Sequence, residues 1–232
     1  MLNRQIFFCL TLLIFASGAV NAQDEPETRN EFWPEIDVFV QINPKIRLLF
    51  LGTVSKNRET NEVFEGQVGG HVDYLLNKRV SFRTGYRFGF SIGDTGDPYI
   101  EHRILFEQTF RFPVRYGFYL VDRNRQDLRW INKDFSVRYR NRLKLEREFM
   151  IRGRSYMPYS LYEIYYDSRH DAWSRNRYAF GVEISLKRHG PLAELLSPRK
   201  NVVLDLFYMK MNNTHSQPRH VNIFSIVLNL YY

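Results

Sequence analysis

Apolar and polar residues alternate strictly along much of the chain. From Val80 to Phe90, the even positions carry apolar or aromatic side chains at five of six places, while the odd positions carry Ser, Arg or Gly. The segments 64–76 and 176–186 alternate in the same way over 13 and 11 residues. A period of two predicts β-strands, and strands this long match the roughly 9 to 11 residues of a tilted transmembrane strand. The pattern therefore predicts strands with one apolar face and one polar face.

Alternation continues from Glu31 to the last residue, so we expect one domain over residues 31–232. The further candidate strands are 31–42, 45–55, 99–112, 114–127, 135–148, 158–167, 200–211 and 220–232. The predicted fold is all-β, an antiparallel up-and-down transmembrane β-barrel of 10–12 strands. The segments number eleven, whereas an antiparallel barrel with both chain ends on one side needs an even number. Either 31–42 lies outside the wall or 149–157 contains a further strand.

The N-terminus has the three parts of an export signal. Arg4 supplies a positive charge, residues 6–16 form a short apolar stretch, and Ala22 ends a small-residue cleavage site before Gln23. We expect a signal peptide at 1–22 and a flexible lead-in at 23–30; an uncleaved anchor is the alternative. The single cysteine, Cys9, lies in the signal, so disulfides are not expected to stabilise the mature fold.

The last strand carries a candidate insertion signal for the bacterial outer membrane, since apolar residues alternate up to an aromatic terminus. These residues are Phe224, Ile226, Leu228, Leu230 and Tyr232. We expect the barrel-assembly machinery to be a partner during insertion, and the outer membrane to be the location. The basic balance of the chain, pI about 9.6, would suggest nucleic acid in a cytosolic protein, but the export signal argues against that partner.

The polar faces predict the lining of the lumen. Ten bases and eleven acids fall on them, so we expect arginine–carboxylate pairs that bridge a narrow, charge-balanced lumen with at most a thin water path. A purely structural network and a ligand site both fit this pattern. The predicted lumen network consists of Arg83, Arg87, Glu101, Arg103, Glu107, Arg138, Arg140, Arg142, Glu163, Asp167, Arg177 and Glu183.

A second basic group, Arg123, Arg125, Arg129 and Lys133, falls near a predicted polar connection at 129–134. Placed outside the wall, these residues would pair with phosphates of lipopolysaccharide, so outer-membrane lipids are expected partners. A solvated basic loop explains the same residues equally well.

The sequence gives little support to catalysis. His71 and Asp73 share a face, and Ser81 lies on the next strand, but this spacing is unspecific. No metal-ligand motif or phosphate-binding loop occurs, so no cofactor is expected. We expect a non-enzymatic barrel, acting as a small channel or as a structural or binding protein. A lipid-modifying enzyme is the alternative, and a soluble periplasmic carrier is a third hypothesis.

Four short segments resemble an uncharacterised family of outer-membrane barrels, the domain of unknown function 2490. They are residues 31–35 (EFWPE), 101–103 (EHR), 140–146 (RNRLKLE) and 176–178 (NRY). The resemblance extends over nearly all of the mature chain and implies a barrel from Gram-negative bacteria. It implies no activity and no catalytic residues.

Overall fold

The computed structural model describes residues 28–92, 99–186 and 202–232. They form twelve strands and one short 3₁₀ turn, Arg115–Gly117. The strands are β1 (Thr28–Gln41), β2 (Ile46–Asn57), β3 (Val63–Leu75), β4 (Val80–Ser91), β5 (Ile100–Pro113), β6 (Phe118–Ile131), β7 (Asp134–Arg147), β8 (Phe149–Ile151), β9 (Arg154–Asp167), β10 (Ala172–Leu186), β11 (Val202–Asn213) and β12 (His220–Tyr231). Eleven of them form the wall, because β8 pairs only with the start of β9 and lengthens the β7–β9 hairpin.

The wall is a closed barrel. Each wall strand pairs antiparallel with its neighbours along the chain, and β1 closes the barrel by pairing with β12. This closing pair is parallel and runs from Thr28↔His220 to Phe39↔Tyr231. The expected all-β barrel of 10–12 strands is confirmed. The expectation of an even number is wrong, because a parallel closing pair permits eleven strands, and β1 lies in the wall.

The odd number of strands places Thr28 and Tyr232 at opposite ends of the barrel. We call the end where β1 begins the mouth; its described connections are 58–62, 132–133, 168–171 and 214–219. We call the other end the base; its described connections are 42–45, 76–79, 114–117 and 152–153. β1 begins three residues before the predicted start. The last three residues of the lead-in predicted at 23–30 therefore belong to the wall.

The barrel is polar inside and apolar outside, the reverse of a soluble protein. Outward side chains such as Phe50, Phe106 and Phe180 are about half exposed. Inward charged residues such as Glu101 and Asp127 are buried, and Asp127 has no exposed surface. Since an unsatisfied backbone group costs several kcal/mol in hydrocarbon, a closed barrel with this outer surface suits a bilayer. Among the described residues no helix is long and apolar enough to cross a membrane.

Two apolar clusters interrupt the polar interior. One, near the base, consists of Phe39, Leu49 and Leu51 with Tyr231 packed against them. The Phe39 and Tyr231 rings stack with centroids 4.7 Å apart. The other consists of buried Ala179, Met209, Met211, Val221 and Ile223, with Trp33, Leu161 and Phe207 packed against it. We call this second cluster the apolar strip; it follows the inner face from β9 through β12 to β1.

At two places, a glycine leaves the space that a large inward side chain on the neighbouring strand occupies. A Cβ on Gly85 would lie 2.6 Å from the Cα of His71, and one on Gly181 would lie 2.6 Å from the Tyr159 hydroxyl. His71 and Tyr159 therefore occupy space that only glycine leaves free. Each ring is fixed against the neighbouring strand, which orients its polar atoms within the lumen.

Candidate functional site in the barrel lumen

One buried carboxylate of the inner face is surrounded by arginines. Asp127 on β6 accepts hydrogen bonds from Arg125 Nε at 2.7 Å and from Arg138 Nη2 at 3.1 Å. Arg140 Nη1 lies 3.8 Å from the same carboxylate. The β6–β7 register opposes Asp127 to Arg138, and alternation points these side chains into the barrel. Removal of Asp127 would therefore leave three guanidinium groups without a shared counter-ion.

A second group of ion pairs lies nearer the mouth. Glu101 accepts from Arg103 at 2.8 Å and from Arg129 at 2.6 Å. Arg129 also donates to Asp167 at 3.1 Å, and Asp167 in turn binds Arg169 at 2.9 Å in the β9–β10 connection. These contacts link β5, β6 and β9 across the inner face. The hydrogen bonds to Asp167 raise the pKa of Arg169 above its ordinary value, so Arg169 stays charged.

Glu163 is contacted by more cations than it can neutralise. Its carboxylate accepts from Arg123 at 2.9 Å, from Arg140 at 3.0 Å and from the Tyr165 hydroxyl at 2.6 Å. The strand register also opposes Glu163 to Arg142 on β7 and to Arg177 on β10, yet neither forms an ion pair with it. One acid thus stands among four arginines.

The ring of Tyr165 gathers the same arginines. Tyr165 is almost completely buried. The guanidinium groups of Arg140 and Arg177 lie 4.6 and 5.0 Å from its centroid, and those of Arg138 and Arg175 lie 5.6 and 5.7 Å away. A tyrosine face attracts cations through its quadrupole, so this ring holds the guanidiniums together despite their mutual repulsion.

Towards the base, paired charges fill the lumen on the side of β2–β5. Asp73 binds Arg47 at 2.7 Å and Arg83 at 2.5 Å. On the opposite side, Lys144 lies between Glu146 at 3.0 Å and Glu183 at 2.6 Å. Next to Glu183, Asp205 accepts from the Tyr159 hydroxyl at 2.9 Å. Glu107, on β5, contacts Arg123 at 3.5 Å.

Four inward arginines form no ion pair with a described residue: Arg87, Arg142, Arg175 and Arg177. Arg87 donates to His71 at 3.4 Å, Arg175 to the Asn213 side chain at 2.6 Å and Arg177 to Met211 Sδ at 3.2 Å. Among their paired neighbours, buried N–H groups without a hydrogen-bond partner include Arg123 Nε, Arg125 Nη2 and Arg140 Nε. Two acceptors, Asp37 Oδ1 and Glu107 Oε2, are also buried without a hydrogen-bond partner, so the lumen's own pairing leaves donors unsatisfied without using all of its acids.

These groups surround a cavity of about 660 Å³. Thirteen Arg or Lys and eight Asp or Glu line it, and all four arginines without ion pairs are among the thirteen. Loop residues of the mouth such as His170 and His215 also line it. The hydroxyl of Tyr99, at the mouth, keeps its proton because burial and the nearby Glu65 raise its pKa. The expected balance of charge does not extend to the cavity, because several inward acids lie outside its lining.

The structure places all twelve predicted lumen residues on inward positions, and it brings nine of them into ion pairs. The three without an ion pair are Arg87, Arg142 and Arg177. Sequence reasoning missed Asp127, Arg175 and Tyr165, although extending the alternation through β6, β9 and β10 would have pointed them inward.

The expected position of Arg123, Arg125 and Arg129 outside the wall is wrong. β6 continues to Ile131, and alternation turns these three arginines into the lumen, where they pair with buried acids. The connection predicted at 129–134 is only the turn 132–133, in which Lys133 is exposed. Contact with lipopolysaccharide therefore remains a prediction for Lys133 alone in this group.

The insertion-signal residues lie on β12 or directly after it. Phe224, Ile226, Leu228 and Leu230 alternate with inward residues, and Tyr232 follows the strand. Phe224 is exposed on the outer face, whereas Leu230 is buried. The predicted cleavage site, Ala22 and Gln23, lies outside the described residues, as does the predicted signal peptide.

The residues considered for hydrolysis are not assembled. Ser81 is opposite Leu75, whereas His71 is opposite Gly85, four positions further along the β3–β4 ladder. The Asp73 carboxylate is held by arginines rather than by His71. Across the described residues, no group of three or more His, Cys, Asp or Glu has the arrangement of a metal site.

Comparison with known proteins relates the fold to outer-membrane barrels. The sequence profile of the family described as Protein of unknown function (DUF2490) matches residues 30–222. No curated protein matches the sequence. The beta domain of the Bordetella autotransporter Brka is 14% identical, with a TM-score of 0.51 over 82% of this chain and 84% of that chain. The siderophore receptor PirA from Pseudomonas aeruginosa is 13% identical, with a TM-score of 0.31 over 76% of this chain and 32% of that chain.

Proposed function

Because the chain belongs to the family of unknown function DUF2490 and folds as a barrel of the outer-membrane type, we propose that it is a bacterial outer-membrane protein whose lumen binds an anionic solute. The family assignment confirms the resemblance of the sequence. In this proposal lipids surround the apolar outer face, and β12 carries the signal for the barrel-assembly machinery.

One observation supports the binding of an anion. All four inward arginines without an ion pair line the same cavity, whereas those that fill the lumen outside the cavity, Arg47, Arg83 and Arg111, are each paired with a carboxylate. Burying an unpaired charge is costly, and arginine binds carboxylates and phosphates through two parallel hydrogen bonds. An anion entering from the mouth would supply the missing acceptors.

Isothermal titration of the purified barrel with inorganic phosphate, in a non-ionic detergent, tests this proposal. Since a hydrogen bond to a charged group contributes about 1.5–3 kcal/mol, we expect Arg142→Gln and Arg177→Gln each to weaken binding at least about tenfold. Arg111→Gln is the matched control, because Arg111 pairs with Glu146 and does not line the cavity. Absence of phosphate binding, or equal losses in all three variants, would refute the proposal.

A narrow channel is the second candidate, because the cavity reaches from mouth loops to Glu183 and Asp205 near the base. Single-channel recording in planar bilayers separates the two. If the lumen is a binding chamber, the recordings should show no stable conductance steps. Reproducible steps whose ion selectivity reverses in the Arg142→Glu variant would favour the channel.

The proposed location has its own test. After cell fractionation, the protein is expected in the outer-membrane fraction. Recovery from the soluble periplasm would contradict both the chamber and the channel and would favour a carrier.

A further inference from the structure

The cavity has two chemically different sides. The apolar strip contributes Trp33, Leu161 and Phe207, which are half-buried and line the cavity. Buried members of the strip, among them Met209 and Met211, line the cavity as well. The arginines around Tyr165 form the other side. A lumen that needed only water and ions would gain nothing from partly exposed apolar residues along one side of its cavity.

Arg177 stands where the two sides meet. Its guanidinium lies 5.3 Å from the Trp33 centroid and 5.0 Å from the Tyr165 centroid, and its Nε donates to Met211 Sδ at 3.2 Å. A thioether is a weak acceptor, so this arginine keeps most of its hydrogen-bonding capacity. A cation with free donors therefore lies directly beside an apolar surface.

From this juxtaposition we infer that the ligand is an amphipathic anion, with a carboxylate or phosphate head on an aliphatic tail. This inference rests on the proposed anion-binding function and specifies its ligand. The head pairs with Arg177 and Arg142, and the tail lies along Trp33, Leu161 and Phe207. The cavity, about 660 Å³, falls within the roughly 300–1,000 Å³ of pockets that hold small organic ligands.

A chain-length series separates the contributions of head and tail. We would titrate the barrel in a non-ionic detergent with acetate, butanoate, hexanoate and octanoate below their micelle concentrations. If the tail meets the strip, affinity rises about fourfold for each methylene buried, the factor that corresponds to about 0.8 kcal/mol. Butyl and octyl phosphate, titrated in parallel, show which head is preferred. Uncharged 1-octanol reports partition into the detergent alone.

Substitutions at two positions assign the site within the lumen. Leu161→Asn, a polar residue of similar shape, is expected to flatten the dependence on chain length, whereas Leu161→Met retains it. Arg177→Gln is expected to weaken the binding of every anion in the series by the same factor. The slope, which is the gain in affinity per methylene, should stay unchanged. Circular dichroism confirms that each variant is folded before titration.

The outcomes separate this inference from the function on which it rests. Binding of phosphate and acetate, with no gain from longer tails, would overturn the amphiphile and leave the anion chamber intact. A slope that Leu161→Asn does not change would likewise overturn it, because the tail would then bind elsewhere. If no anion binds, including inorganic phosphate, the proposed function itself fails.

Discussion

Neutralising Asp127 is the most direct test of how the lumen is held together. Its carboxylate has no exposed surface and binds Arg125 and Arg138, with Arg140 3.8 Å away. Asp127→Asn preserves the shape but leaves these guanidiniums facing one another. Breaking a buried ion pair by removing one partner typically costs about 3–5 kcal/mol, because the remaining charge stays buried without compensation. We expect a loss of unfolding free energy in that range.

Asp205→Asn is the matched control, since Asp205 also faces the lumen but accepts from a neutral partner, the Tyr159 hydroxyl. The substitution should cost only about 1 kcal/mol, because the Asn oxygen can still accept from this hydroxyl and no cation loses an ion pair. Urea titration in lipid vesicles, followed by tryptophan fluorescence, measures both variants. If Asp127→Asn is no more destabilising than Asp205→Asn, the arginines do not depend on Asp127.

A double-mutant cycle adds a second condition to the same test. Arg138→Gln removes one of the cations that Asp127 binds. It should cost clearly less in the Asp127→Asn protein than in the wild type, because it then relieves repulsion instead of breaking a pair. Equal costs in the two backgrounds would show that the two residues are not coupled.

Three further predictions concern the wall and its processing. Gly85→Ala should destabilise the barrel by about 1–3 kcal/mol, because the new methyl meets backbone atoms of β3, whereas Gly52→Ala, with nothing within 4 Å of the added carbon, should be neutral or slightly stabilising in the same urea titration. In single-tryptophan variants reconstituted with brominated phospholipids, Trp130 on the outer face should be quenched and Trp33 in the lumen should not; equal quenching would contradict the inside-out arrangement. Mass spectrometry of the exported protein should find Gln23 as the first residue, and a longer chain would favour the uncleaved anchor.

Alternation was sufficient to predict the barrel and its two faces, because side-chain direction in a strand depends only on parity. Alternation failed to predict the end of a strand whose last residues are charged and point inward. Arg129 and Lys133 look alike in sequence, yet Arg129 is a buried residue of β6 and Lys133 belongs to the turn. In a barrel with a polar interior, strand ends and loops have the same composition, so polarity alone places the boundary too early.

Other features depend on register, which the pattern does not fix. Opposing Asp127 to Arg138 requires the β6–β7 alignment, and the parallel closure of β1 on β12 pairs residues almost 200 positions apart. The hairpin rhythm predicts which consecutive strands are neighbours but not how the first strand meets the last. The apolar strip was missed for the same reason, since its members come from five strands and form a cluster only after closure.

The distribution of unpaired arginines argues that the lumen is more than a structural filling. A network that only braced the wall would pair each cation, since an uncompensated buried charge opposes folding. Where side chains fill the lumen beyond the cavity, Arg47, Arg83 and Arg111 follow this rule. The exceptions all line one cavity, and Arg177 among them touches the apolar strip as well. The unpaired arginines reduce the stability of the fold at one place, beside a surface suited to an aliphatic tail. This arrangement is expected when a bound anion completes the charge balance.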